Sequence, residues 1–343
     1  MVTAFLLNVV LAADPAAIEP LTVRDPQPQR YEFALRASDL NPAAQAHPDL
    51  GFFLEQDGKP ADRQVATVDT RVPLRGQLVI WLMSPKPDLF ERLNGYGLHV
   101  IQPHYARHWY GRICQDKPVG PDCRGNARLE ATTGIDASDE MNLTTADGMA
   151  ERARRMVVHL ATENPQGRWD AFLDDDDQLI WDRVIVSGAS HGASSAARFA
   201  MHQKVARVVC LCGPRDQYQR WQGQESATPA NRFFGFTHTL DTGWTGDHYC
   251  RSWQMLGLEQ FGPLVDVDAS SPPYENSRRL VTSFDVDGNE KRAHSSVTPG
   301  PAAYQKNGRF PHDPVWEYLY THPVDAVGDP VEAEPCELEQ SQN

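Results

Sequence analysis

Residues 181–200 read Trp-Asp-Arg-Val-Ile-Val-Ser-Gly-Ala-Ser-His-Gly-Ala-Ser-Ser-Ala-Ala-Arg-Phe-Ala. This run compresses a strand, a sharp turn and the start of a helix. Val184, Ile185 and Val186 form the short buried run expected of a central strand in a parallel sheet. Ala193, Ala196, Ala197 and Ala200 suit a helix that packs closely on such a strand. Between them, Gly188 and Gly192 remove the Cβ atoms that would collide as the chain reverses, so Ser190 is expected in a strained backbone with its hydroxyl clear of the sheet. An ordinary serine in a glycine-containing turn is the alternative, but it leaves the flanking strand and helix unexplained.

The rest of the chain alternates in the same manner. Tyr31 to Arg36 and Gly51 to Gln56 read as early edge strands. Leu78 to Met83 is a continuous apolar strand, stopped by Ser84-Pro-Lys-Pro and followed by a helix through Asn94, and 98–102 is the next strand. This alternation points to parallel pairing with helical crossovers. His104 to Asp139 reads as a long irregular excursion above the sheet, rich in Gly, Arg and aromatic residues. Thr144 or Thr145 is placed to cap a helix running through Met149, Ala153, Met156, Val157 and Leu160. Further strands are expected at 206–212, 233–240 and 279–284, with a last helix over 313–322. One domain is expected over 14–325, flanked by an apolar start at 1–13 and an acidic, disordered tail at 326–343.

Charge and cysteine usage narrow the class. With 32 basic and 46 acidic residues, the net charge of −14 repels phosphate backbones and anionic lipid surfaces, so nucleic acid is not an expected partner. No segment reaches the roughly 18 uninterrupted apolar residues of a membrane span. The start ends in Leu11-Ala12-Ala13, which suits a signal-peptidase site although no basic segment precedes it; export to the periplasm or beyond is weighed ahead of a cytoplasmic location. Among six cysteines, Cys114 and Cys123 bracket a loop that a disulfide would staple, in keeping with export. Cys210 and Cys212 alternate along a strand and read as small buried residues, with Cys250 a candidate partner for either and Cys336 in the tail. No Cys/His spacing resembles a zinc site, and Asp174 to Asp177 lack calcium-loop spacing. No cofactor is expected.

A serine hydroxyl is a poor nucleophile unless a histidine takes its proton and an acid orients that histidine. Asp241 follows the strand ending His-Thr-Leu and precedes Thr242-Gly243; Asp247 and Asp216 are the alternatives. His294 follows the last strand after an Asp287-Gly288 turn, and is preferred over His238, His248 and His312. An oxyanion would be met by the backbone amide of His191 at the head of the helix. A second donor is expected from the loop after the 78–83 strand, where Pro85 has no N–H and Ser84 or Lys86 remains. Trp109, Tyr110, Trp221, Trp244, Tyr249 and Trp253 fall in segments expected to overhang the site, or to fill the core.

Gly188-Ala-Ser-His-Gly192, its flanks and the ordered Asp241 and His294 make the chain resemble the α/β-hydrolases. Trp181-Asp-Arg-Val-Ile-Val-Ser-Gly, Arg207-Val-Val-Cys-Leu-Cys-Gly-Pro-Arg-Asp216 and the 248–253 region resemble a poorly characterised bacterial serine-hydrolase family whose elbow commonly carries Gln where His191 stands. The resemblance spans roughly residues 75 to 300. It implies an eight-stranded, mostly parallel sheet flanked by helices, loop insertions over the active face, and a Ser190-Asp241-His294 triad. A small or polymeric carboxylic ester is the expected substrate. Amide or peptide cleavage on the same triad, and a non-hydrolytic or non-catalytic protein on this scaffold, are the alternatives.

Overall fold

The computed structural model describes residues 19–216, 219–333 and 336. The expected leader at 1–13 lies outside them. The centre is a nine-stranded sheet. In chain order its strands are β1 (Arg30–Arg36), β2 (Arg63–Asp69), β3 (Leu78–Trp81), β4 (His99–Gln102), β5 (Val184–Ala189), β6 (Arg207–Leu211), β7 (Phe233–His238), β8 (Leu264–Asp266) and β9 (Arg279–Thr282). Across the sheet they run β1-β2-β4-β3-β5-β6-β7-β9-β8, with β2 antiparallel to both neighbours and every other pairing from β4 to β8 parallel.

β3, β4, β5, β6 and β7 are buried at every position. Strands covered on both faces read as unbroken apolar runs rather than alternating ones, which is why the sequence shows them plainly. Helices α1 (Pro87–Gly95), α2 (Cys123–Thr133), α3 (Met149–Glu163), α4 (His191–His202), α5 (His248–Met255), α6 (Glu290–Ser296) and α7 (Asp313–Thr321) flank the sheet. α4 packs on β5 and β6, and α2 packs on α4. The main core is a large apolar cluster that includes the fully buried Trp81, Trp169, Trp253 and Trp316, and a small second cluster gathers Phe284, Val286 and Ala293.

Several expectations are corrected. The sheet has nine strands, not eight. β2 went unnoticed because Gln64 and Thr67 interrupt its apolar pattern, yet both are buried; Gln64 Oε1 accepts the His104 N–H. The strand expected over 51–56 is instead a 3-10 turn at Pro48–Leu50 followed by a short hairpin, Glu55–Gln56 with Lys59–Pro60. The excursion after His104 contains α2 and is stapled by Cys114–Cys123. Cys250 pairs with Cys336 rather than with Cys210 or Cys212, which are free and buried. The tail expected to be disordered is, over its described part, fastened by that disulfide and by the Gly328 and Val331 amides, which donate to Asn276 O and Glu259 O.

Candidate active site

Ser190 sits between β5 and α4 with φ +55° and ψ −121°. A non-glycine residue held there costs about 1–3 kcal/mol and persists only where its surroundings fix it. The fixing is visible. The Ser190 amide donates to Leu211 O at 2.9 Å, and the Ala193 amide donates to Ser190 O at 3.0 Å. A Cβ on Gly188 would lie 2.4 Å from the Gly192 carbonyl carbon, and one on Gly192 would lie 2.0 Å from Leu82 O. Both glycines are thus required by close backbone approach: strand to helix at Gly188, and helix to the end of β3 at Gly192.

Asp241 lies three residues beyond β7 and is fully buried. Its carboxylate caps the single helical turn Thr242–Thr245, where Oδ1 accepts the Gly243 N–H at 2.8 Å. Tyr249 Oη donates to the same carboxylate from 3.3 Å. His294 Nδ1 meets Asp241 Oδ2 at 2.7 Å. His294 projects from α6 rather than from the loop the sequence suggested, and its side chain is 35% exposed. The Asp241 hydrogen bond, followed by contact with the Cys212 thiol, pushes the His294 pKa up to about 10 against the opposing effect of burial. A carboxylate on Nδ1 leaves Nε2 as the nitrogen available for proton transfer.

The structure therefore brings Asp241 and His294 together. Ser190 reaches the same sheet edge through its amide bond to Leu211, the residue before Cys212, whose side chain adjoins both Asp241 and His294. No hydrogen bond joins Ser190 Oγ to His294 among the described residues. Contacts of this kind commonly tighten only when substrate is bound.

His191 follows Ser190 and opens α4, so its backbone N–H stands at the positive end of the helix. Its ring is fixed by Arg128 of α2, whose Nη1 lies 3.0 Å from His191 Nδ1 and donates to His191 O at 2.9 Å. A guanidinium only donates, so Nδ1 accepts and Nε2 carries the hydrogen. Burial, then the Arg128 charge, hold the His191 pKa well below 6.5, and the ring is neutral. Trp109 and Tyr110 pack on this ring with centroids 5.0 and 5.2 Å away. Ser84 follows the end of β3; its Oγ accepts from Arg107 and its carbonyl from Trp81 Nε1.

The remaining candidates make contacts away from Ser190, Asp241 and His294 or hold the surrounding structure together. Asp216 makes a buried ion pair with Arg128 at 2.5 Å. His238 bridges the Leu240 amide and Phe284 O, and His312 pairs with Asp268 at 2.9 Å. Trp221 and Trp253 are buried against Gly125 and Gly235. A cavity of about 530 Å³ lined by Asp268, Phe284, Tyr304 and His312 includes none of Ser190, Asp241 and His294 in its wall. Sequence reasoning missed the roles of Arg128 and Cys212 and treated Tyr249 only as a pocket aromatic. Cys212 carried a signal, since Cys-Gly-Pro stands at the end of the strand beside the elbow. Arg128 carried none, being one arginine among many in an irregular stretch.

No family profile and no curated protein matches the chain. Solved structures that it resembles include FphF, a fluorophosphonate-binding serine hydrolase of Staphylococcus aureus (15% identity, 54% of this chain and 57% of that one, TM-score 0.26). The chain thus spans little more than half the length of FphF. Others are the S-formylglutathione hydrolase FrmB of S. aureus (10%, 81% and 98%, 0.38) and a thermostable esterase from Pseudomonas putida ECU1011 (11%, 87% and 83%, 0.34). Identities and scores this low add no argument to what the molecule shows by itself. A mostly parallel sheet with only its second strand reversed, and a strained Gly-x-Ser-x-Gly turn leading from β5 into a helix, give the chain the α/β-hydrolase fold.

Proposed function

We propose that the protein is a serine hydrolase that cleaves carboxylic esters through an acyl-enzyme. The observation that carries this reading is the 2.7 Å contact of His294 Nδ1 with the buried Asp241, on the sheet edge where Ser190 is held in a strained turn. In the proposed sequence His294 Nε2 takes the Ser190 proton as Oγ attacks the ester carbonyl. The oxyanion is met by the His191 backbone N–H and by a second amide at Ser84, close to the segment that packs on Gly192. Collapse breaks the ester C–O bond, and His294 returns the proton to the departing alcohol. Water, deprotonated by the same imidazole, then attacks the acyl group and releases the acid. The neutral His191 ring follows Ser190 in the chain, and the exposed Tyr110 packed on it is assigned the apolar wall for the acyl group, with the buried Trp109 backing the ring.

The test is covalent labelling by a fluorophosphonate, read by intact mass and peptide mapping. The expected result is one adduct on Ser190, absent in Ser190→Ala and suppressed in His294→Ala, with short acyl esters turned over by the wild type alone. A folded wild type that takes no label would overturn the reading and favour a binding role for the scaffold.

A further inference from the structure

Cys212 is a buried thiol that ester hydrolysis does not use. It follows β6, its backbone φ is +42°, and its side chain touches His294. One donor atom each from Cys212, Asp241 and His294 lie within 4.8 Å of one another. One sulfur, one imidazole nitrogen and one carboxylate oxygen form a three-ligand set suited to zinc, with a fourth tetrahedral position left for water. Bond lengths of about 2.3 Å to sulfur and about 2.0–2.2 Å to nitrogen or oxygen place donors about 3.3–3.8 Å from each other, so the His294–Asp241 pair, now 2.7 Å apart, must spread slightly to admit the ion.

The other described cysteines offer no competing ligand. Cys114 and Cys123, with Glu140 beside them, are joined as a disulfide, and so are Cys250 and Cys336. Cys210 is fully buried and directs its thiol toward Ala193 O.

We propose that Cys212, His294 and Asp241 form an inhibitory binding site for Zn²⁺ or a similar soft divalent cation. On binding, the Cys212 thiol and the charged His294 imidazole each lose one proton to the solvent as the Zn–S and Zn–N bonds form, and no electrons are transferred. The 2.7 Å His294–Asp241 hydrogen bond is too short to persist with both groups on one ion, so it opens. An imidazole held by the metal no longer accepts the Ser190 proton. The 35% exposed side chain of His294 is the way in for the ion.

The site uses two residues of the proposed triad, but metal binding is read without any hydrolysis. Equilibrium dialysis of the full chain against Zn²⁺ is expected to give one tightly held ion per protein. Co²⁺ in its place is expected to give a near-ultraviolet thiolate-to-cobalt charge-transfer band. Cys212→Ser should abolish that band and weaken Zn²⁺ binding by at least about tenfold. His294→Ala, at a partly exposed helical position, should weaken it similarly and guards against misfolding of the buried variant. Zn²⁺ should also block fluorophosphonate labelling, with recovery on adding a chelator. No stoichiometric uptake, no thiolate band, or uptake that both variants leave unchanged would overturn the site. Binding with the expected band in a protein that never takes the fluorophosphonate would uphold the site while removing the hydrolase reading.

Discussion

At the scale of single residues, the decisive contact is His294 with Asp241, and it sets the sign of the pH response. Asp241 first, and Cys212 after it, favour the charged imidazole and push its pKa up to about 10. A general base must be neutral, so kcat/KM for an ester should rise with pH on a limb whose midpoint lies well above the ordinary 6.5 of histidine. Asp241→Asn removes the charge that holds the proton. The midpoint should then move down toward 6.5, while the rate falls by up to about 10⁴-fold as the imidazole loses its orienting partner. A limb that stayed in place in Asp241→Asn would assign it to another group. The same coupling acts on stability in the opposite direction. A folded-state pKa above the unfolded value contributes stability that is complete below 6.5 and is lost as pH rises through about 10. The conditions that free the base therefore weaken the contact that positions it.

At the scale of elements, α2 is fastened to the elbow helix α4 by Arg128, which is 1% exposed and pairs with Asp216 while also reaching His191 and Ser195. Removing one partner of a buried pair strands the other, a loss of about 3–5 kcal/mol. Arg128→Met should therefore lower the midpoint of urea unfolding by that equivalent. Adding Asp216→Leu should recover part of it, because the stranded carboxylate is then gone. A double variant no better than the single one would show that the loss comes from Arg128's contacts with α4 instead. Such a contact also marks the limit of reading the sequence. β3, β5, β6 and β7 were legible because buried parallel strands are written as continuous apolar runs, and the elbow was legible because two backbone approaches demand glycine at fixed positions. The pairing of Asp241 with His294 was legible from their order after later strands, although α6 was not seen around His294. β2 and the three-residue β8 were hidden, the first by buried polar residues and the second by its shortness. Arg128 could not be recognised as a support, because it works through a partner far away in sequence: Asp216 is 88 positions from Arg128.

At the scale of the whole molecule, the two disulfides do unequal work. Cys114–Cys123 joins residues 9 apart and staples one loop, whereas Cys250–Cys336 joins residues 86 apart and ties the C-terminal segment to α5. α5 also carries Tyr249, the hydroxyl donor to Asp241, so this tie bears on the element that supports the acid. The chain between the two sulfurs runs through β8, β9, α6 and α7, and therefore encloses His294. In the chain-entropy account, closing a loop in the unfolded state stabilises the fold by an amount that grows with loop length. The expected contributions are roughly 4.5 kcal/mol for the long loop and roughly 2.5 kcal/mol for the short one. Cys336→Ser should thus lower the urea midpoint more than Cys123→Ser, although Cys336 lies in the acidic segment that the sequence alone marked as disordered. Among the described residues that segment is also held by the Gly328 amide on Asn276 O, the Val331 amide on Glu259 O and Arg278 on Ala326 O. If the larger loss came instead from Cys123→Ser, the packing of the 104–139 excursion over the elbow, rather than closure of the long loop, would govern the stability of the molecule.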